Sequence, residues 1–305
     1  MIVDVHGHIS PPEALKRFPM PPSLGDVEGM IERKLEAGIG LTIVGSPVGA
    51  GAMVPIPGFD NYAQPADRLA ALHDWLAATC ARHPEHLRAY VYVNPFGDET
   101  ELAAAQATLS GDDAFVGLIA NTSVRGDYLD SENAAPFFAL AAELDVPVLL
   151  HPPAAPAAGQ SLRGLGLLEQ VGRYNDVTAG LACVILGGWL DRHPGLRLIG
   201  AQGGGAIALL AEKLDLAYAA PRRTGGELAA PPSSYLRRIW VDTASPSMLA
   251  LRANVHALGP DRLLFGTDSP PLGLPSAIDT IRVVAGEATL AENANRLFGL
   301  TEPVA

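Results

Sequence analysis

The chain has 305 residues, 48% of them hydrophobic, and carries 33 acidic against 21 basic side chains for a formal net charge of −12. That acid surplus excludes nucleic acid and anionic membrane surfaces as partners, since both demand clustered Lys and Arg. The longest unbroken apolar run, residues 179–190, is too short to cross a bilayer.

Taken in chain order, eight short β-branched or apolar runs read as strands: residues 2–5, 41–44, 89–93, 116–120, 146–150, 196–200, 239–242 and 262–265. Between them the apolar period lengthens to 3.6, most clearly over 67–82, 132–144, 178–193 and 206–218. Most of the strand runs are apolar throughout, as expected of parallel strands covered on both faces. Eight strands alternating with helices, and no Gly-rich dinucleotide fingerprint after the first, point to an α/β fold of the (β/α)8 TIM barrel type. A Rossmann-like sheet is the second choice. Three longer irregular stretches, 47–61, 151–164 and 219–234, elaborate the βα loops without separating two compositions, so 1–305 reads as one domain. The opening MIVDVHGH lacks the basic region of a secretion signal. Cys80 and Cys183 lie in apolar helical patterns as buried free thiols. A cytoplasmic enzyme acting on a small-molecule substrate is the expectation.

The eight histidines divide by position. His73, His83, His86, His193 and His256 fall within or at the ends of helices, where solvated or capping roles suffice. His6, His8 and His151 instead follow apolar strands directly, at the edge where a barrel builds its active site. In His6-Gly7-His8, residues i and i+2 of an extended segment share one face and can grip one cation. His151 closes the run VPVLL, and Asp268 closes the last strand in LLFGTDSP. Three imidazoles and a carboxylate suit one divalent metal ion, Zn2+ first, with Mn2+ or Fe2+ as alternatives. Asp4 reads equally as a partner behind these ligands or as a strand-end polar residue. Gly203–Gly205, with no Lys-Ser/Thr following, reads as a turn and not as a phosphate cradle.

At these residues the chain resembles a known family. VDVHGH, LLHPP, LACVILGGWLDRHPGLRLIGAQGGGA, LLFGTDSP and ENANRLFGL occur in the order found in the amidohydrolase superfamily. The resemblance is narrower to its branch containing 2-amino-3-carboxymuconate-6-semialdehyde decarboxylase. It implies a (β/α)8 barrel with His6, His8, His151 and Asp268 as metal ligands, Asp268 also relaying protons, and a homodimer. Binuclear relatives bridge their metals with a carboxylated Lys ending the fourth strand. Here that strand ends Leu118-Ile119-Ala120-Asn121 and Lys16, Lys34 and Lys213 lie elsewhere, which favours a mononuclear site.

Two departures stand out. The family reads A-H-G-G-G after its sixth strand, and this chain has Gln202 at the His position; Gln hydrogen-bonds both ways but does not titrate near neutrality. Met30 occupies the place of an Arg that holds a substrate carboxylate in the semialdehyde decarboxylases. Asn121 and Arg125 after the fourth strand, and Arg173 and Asn175 after the fifth, are the expected substrate-facing residues, either Arg being able to hold a carboxylate. The expectation is a mononuclear metal-dependent hydrolase of a small ester, amide, lactone or C–C substrate acting through a metal-activated water, with Asp268 carrying protons and Gln202 orienting the substrate or water. The alternatives are a non-oxidative decarboxylase or hydratase and, in another class, a barrel that has kept binding and lost catalysis.

Overall fold

Each of the eight runs becomes a strand: β1 (Ile2–His8), β2 (Ile39–Gly45), β3 (Leu87–Tyr92), β4 (Phe115–Asn121), β5 (Pro147–His151), β6 (Arg197–Gly200), β7 (Trp240–Asp242) and β8 (Leu263–Leu264). The computed structural model describes residues 1–159, 161–162, 164–220, 227–245, 247–270, 272–274 and 278–300; positions 221–226 of the third long loop, and 160 and 163 of the second, lie outside them. The strands pair in parallel and in chain order. The segment after β8 returns to β1 through Val5 N–H to Phe265 O at 2.9 Å, Asp268 N–H to His6 O at 2.8 Å and His8 N–H to Ser269 O at 3.0 Å, so the sheet closes into a barrel.

A helix follows every strand: α1 (Val27–Glu36), α2 (Ala66–Arg82), α3 (Glu99–Gly111), α4 (Ala135–Leu144), α5 (Arg173–Leu186), α6 (Ala211–Tyr218), α7 (Met248–Ala257) and α8 (Ile278–Ala285). The strands are apolar throughout because both faces are buried. Val3, Val5, Leu41, Ile43, Tyr90, Ile119, Leu149, Ile199 and Leu264 fill the barrel interior, with Leu297 and Phe298 packed against them. Val44, Val91, Leu118, Val148, Leu198 and Val241 face the helices and meet Leu72, Leu76, Phe137, Phe138, Leu181 and Leu251.

Three helices depart from their periodicity. The expected 178–193 helix starts five residues early, at Arg173, behind a single π-helical turn at Leu168–Gly172, and stops at Leu186. Gly187 and Gly188, the latter at φ 74°, break it before a separate turn at Trp189–Arg192. The expected 132–144 and 206–218 helices both open as 3₁₀ turns, Glu132–Ala134 and Ile207–Leu210. Cys80 is buried as expected, whereas Cys183 is only partly covered; both are free thiols. His73 is neither solvated nor a cap: it lies buried in α2, where its Nε2 accepts the Tyr92 N–H at 3.1 Å.

Candidate metal centre

The C-terminal ends of β1 and β5 and the turn after β8 converge on one point at the barrel mouth. β1 runs three residues further than its β-branched start predicts, so His6 and His8 are part of the strand itself. The register between β1 and β2 slips between Asp4 and Gly7, where the two strands come close. An added Cβ at Gly7 would lie 2.5 Å from Thr42 Cγ2, which is why the residue between the histidines is glycine. Asp268 sits four residues beyond β8, and it and Gln202 hold left-handed backbone at φ 56° and 51°. Such conformations are costly for residues with a Cβ and collect at functional sites.

The imidazoles of His6, His8 and His151 stand mutually edge-on, with ring centroids 4.9 to 5.1 Å apart. In each ring Nδ1 faces an acceptor: Asp242 Oδ2 at 2.5 Å for His6, Gly45 O at 2.9 Å for His8 and Pro152 O at 2.8 Å for His151. A carbonyl oxygen can only accept, so the Nδ1 atoms of His8 and His151 carry protons and the Nε2 lone pairs turn inward. His6 and His8 Nε2 approach to 3.1 Å, and Asp268 Oδ1 lies 3.0 Å from His8 Nε2 and 3.5 Å from His6 Nε2. His151 Nε2 is buried with no hydrogen-bond partner. One donor atom from each of the four residues lies within 4.8 Å of the others. Ligand atoms that converge while buried suit a cation between them, and three imidazole nitrogens with one carboxylate oxygen fit a single divalent metal ion.

Titration follows the same geometry. Burial works against charge on His6, yet Asp268, the hydrogen bond to Asp242 and the charges of Asp242 and Asp4 hold its pKa up at about 9. Burial and the facing His8 and His6 push His151 well below the usual imidazole value. For Asp268 burial acts upward, but His6, the His8 hydrogen bond and the charges of His8 and His151 outweigh it and keep the carboxyl below its usual range. A proton therefore stands in for the cation when no metal is bound.

Behind the ligands lies a layer of buried acids. Asp242, which ends β7, also accepts the N–H groups of Gln202, Gly203 and Ala244 at 3.2, 2.7 and 3.0 Å, so one carboxylate orients His6 and shapes the Gln202 turn. Asp4 accepts the N–H groups of His6 and Thr267 at 3.0 and 3.1 Å and the Thr267 hydroxyl at 2.7 Å, and pairs with the buried ammonium of Lys34. Of its two open roles it takes the one behind the ligands. Gln202 Nε2 reaches Asp268 Oδ2 at 3.4 Å. Asp242 is not among the residues expected from the sequence, although the signal that singles out His151, a polar residue closing an apolar strand, marks it equally.

The expected substrate-facing residues are placed unequally. Asn121 is buried at the end of β4, donating to Pro47 O and His151 O and accepting from the Tyr62 hydroxyl at 3.0 Å. Arg173 is buried at the start of α5 and donates to Met53 O at 2.5 Å. Arg125 is exposed and paired with Asp60 at 2.8 Å, and Asn175 is exposed on α5. Met30 is buried in the core, so α1 offers no cation at that position. No Lys stands at the end of β4, and Asn121 there is fully engaged as an amide.

The sequence profile of the amidohydrolase family matches residues 3–300, and the chain belongs to that family. It is 27% identical to decarboxylase orsB of Emericella nidulans over 74% of this chain and 72% of that protein. It is also 27% identical to gamma-resorcylate decarboxylase of Rhizobium radiobacter, over 75% of each. The fold is similar to that of 5-carboxyvanillate decarboxylase LigW from Sphingomonas paucimobilis, with a TM-score of 0.82 and 21% identity over 98% of this chain and 99% of that one. The chain is thus an amidohydrolase-type metal-dependent enzyme. Its decarboxylase relatives favour the second of the sequence expectations over hydrolysis. Among the described residues no helix is long and apolar enough to cross a membrane.

Proposed function

We propose that this amidohydrolase-family chain is a metal-dependent, non-oxidative decarboxylase of a small aromatic or enolic carboxylic acid. The observation that carries the proposal is the two-sided environment of Asp268, with Oδ1 against the His6 and His8 nitrogens and Oδ2 against the Gln202 amide. The decarboxylase relatives, each spanning about three quarters of the chain, support it. His6, His8, His151 and Asp268 would hold the ion, Zn2+ by its donor set with Mn2+ as the alternative. When bound, it would polarise a substrate oxygen and so make the ring or enol an electron sink.

Loss of CO2 breaks a C–C bond and leaves its electron pair on carbon, which must then take a proton. Asp268, which starts ionised because its carboxyl is held below the usual range, would take that proton from the substrate's hydroxyl as its oxygen becomes an oxyanion, and hand it to carbon from Oδ2. Gln202 serves either protonation state: its NH2 donates to the carboxylate, and after an amide flip its carbonyl accepts from the acid. A titrating side chain is not needed at 202 when Asp268 moves the proton. Asp242 holds the His6 ring in one tautomer, Asn121 braces the mouth through Pro47 O, His151 O and the Tyr62 hydroxyl, and Arg173, with Arg125 and Asn175 nearer solvent, would contact the substrate.

The test is to load purified protein with Zn2+ or Mn2+ and measure CO2 release from 2,6-dihydroxybenzoate, 5-carboxyvanillate and related hydroxybenzoates, beside hydrolysis of esters, amides and lactones. CO2 release that depends on added metal is expected. Ester or lactone turnover without CO2 from any acid would overturn the proposal in favour of hydrolysis.

A further inference from the structure

Lys34 is buried, whereas Lys16 and Lys213 are exposed. It lies on the inner face of α1. Val27, Met30, Ile31 and Lys34 form the buried stripe of that helix at helical spacing, so an ammonium stands where the pattern asks for an apolar side chain. A charge leaves water at such a place only against a partner, and the partner is Asp4, the two side chains being 3% and 0% exposed.

What Asp4 does there follows from the register of β1. Between the pairs Asp4–Thr42 and Gly7–Val44, β1 advances three residues while β2 advances two, so one residue is extra and the strand bulges within Val5-His6. Such bulges re-aim side chains beside active sites. Val3 and Val5 pack in the barrel interior, and strict alternation would send Gly7 inward after them and His6 and His8 out toward the helices. The bulge reverses the order, and both imidazoles turn inward to meet His151.

Asp4 holds this irregular stretch. Its Oδ1 accepts the N–H groups of His6 at 3.0 Å and Thr267 at 3.1 Å, and its Oδ2 accepts the Thr267 hydroxyl at 2.7 Å and the Lys34 ammonium. Thr267 Oγ1 in turn accepts the Ser269 N–H at 3.1 Å, so one carboxylate spans from the bulge to the turn that presents Asp268. The ammonium lies behind the histidines: a Cβ added at Gly7 would be 3.3 Å from Lys34 Nζ.

We infer that Lys34 is a positioning residue for the metal centre: as the counterion of Asp4 it holds the β1 bulge that turns His6 and His8 inward and keeps it in step with the turn carrying Asp268. The inference rests on the assignment of those three residues as metal ligands and extends the centre to a cation on the outer side of the strand. Lys34 acts through Asp4 and not on the reacting atoms.

Zn2+ affinity of the full chain by chelator competition, with the visible absorption of the Co2+-loaded protein beside it, tests this. Lys34→Met keeps the stem and leaves Asp4 a buried charge without its counterion. Affinity should fall about 10- to 100-fold, the scale for losing a ligand's support, and the Co2+ spectrum should change. Lys34→Met with Asp4→Asn removes both charges while the amide oxygen still accepts the His6 and Thr267 N–H groups, and should recover wild-type affinity. Lys34→Met with Asp4→Ala removes the acceptor too and should stay weak. These two double variants carry the comparison if Lys34→Met does not fold. Leu76→Ala, which opens a cavity under α2 instead, should lose stability and keep its affinity. Wild-type affinity in Lys34→Met, equal affinity in the two double variants, or an equal loss in Leu76→Ala would overturn the inference and leave Lys34 a stabiliser of the fold. Failure of the metal-ligand assignment looks different, since wild type itself would then take up no Zn2+ or Co2+, and the inference would fall with it.

Discussion

The interior of the barrel and its mouth are made from the same strands on opposite principles. Inside, Val3, Val5, Leu149, Ile199 and Leu264 pack as an apolar plug, with the Tyr90 hydroxyl among them donating to Val5 O at 2.8 Å. At the mouth, within a few residues on the same strands, His6, His8, Asp242 and His151 are as deeply buried but carry charge or lone pairs. The plug supplies stability through area removed from water. The mouth spends some of it on two strained backbones at Gln202 and Asp268 and on buried polar atoms without a hydrogen-bond partner among the described residues, the His151 Nε2 acceptor and the Tyr92 and Arg173 donors. Burial alone therefore does not mark core: among buried residues, those with unmet hydrogen-bonding capacity mark the site.

The sharpest way to break that contrast is a crossed pair of variants. Asp268→Asn removes the carboxylate proposed to hold the ion and carry the proton, and CO2 release should fall by about 10²- to 10⁴-fold, the range for a lost acid–base group. Leu149→Ala leaves the mouth intact but opens a cavity in the plug and should cost about 2–5 kcal/mol of unfolding free energy. Denaturant melts and turnover on the same two preparations decide it. If Leu149→Ala loses as much turnover per folded molecule as Asp268→Asn, the two regions are not separable.

Next in size is the layer behind the ligands. Asp242→Asn keeps the shape but trades the carboxylate that faces His6 Nδ1 and three backbone N–H groups for an amide. Metal affinity should drop about 10- to 100-fold, the usual effect of losing a ligand's orienting partner. Competition with a chelator reads this directly, and the wild-type affinity should itself rise as pH climbs toward 9, because the ion displaces the proton held by His6. An affinity that ignores both changes would remove Asp242 and His6 from the centre.

The same contrast explains what the sequence displayed. All eight strands could be read from apolar runs, since plug and outer layer bury both strand faces. The four converging residues were legible because imidazole or carboxylate at a strand end breaks an apolar pattern. Asp242 was not legible because a lone carboxylate at a strand end reads as an ordinary polar boundary until the fold brings His6 Nδ1 against it. Lys34 and Tyr62 were beyond reach for a physical reason: each is joined to the site only by tertiary contact, through Asp4 in one case and Asn121 in the other. The early start of α5 depends on a π-helical turn, which has no periodic signature. Arg173 was named as substrate-facing from resemblance, but its missing partner is visible only once the loop after β2 is in place.

The smallest expected effect concerns a histidine on the plug's side of the contrast. His73 is as buried as the ligands, but its Nε2 is satisfied by the Tyr92 N–H, and burial, against a weak pull from Asp74, lowers its pKa from 6.5 to about 4. Between those two values the unfolded chain binds a proton that the folded one refuses. Stability is therefore fully present above pH 6.5 and is lost as pH falls toward 4, at no more than about 1.4 kcal/mol per pH unit for one group. His73→Gln can still accept the Tyr92 N–H through its amide oxygen and has nothing to titrate. Denaturant melts of the two proteins at several pH values between 4 and 7 should show the slope of wild type exceeding that of the variant by up to one proton. Identical slopes would mean that His73 takes its proton in the folded state, and that a buried histidine with a partner is no better defined than one without.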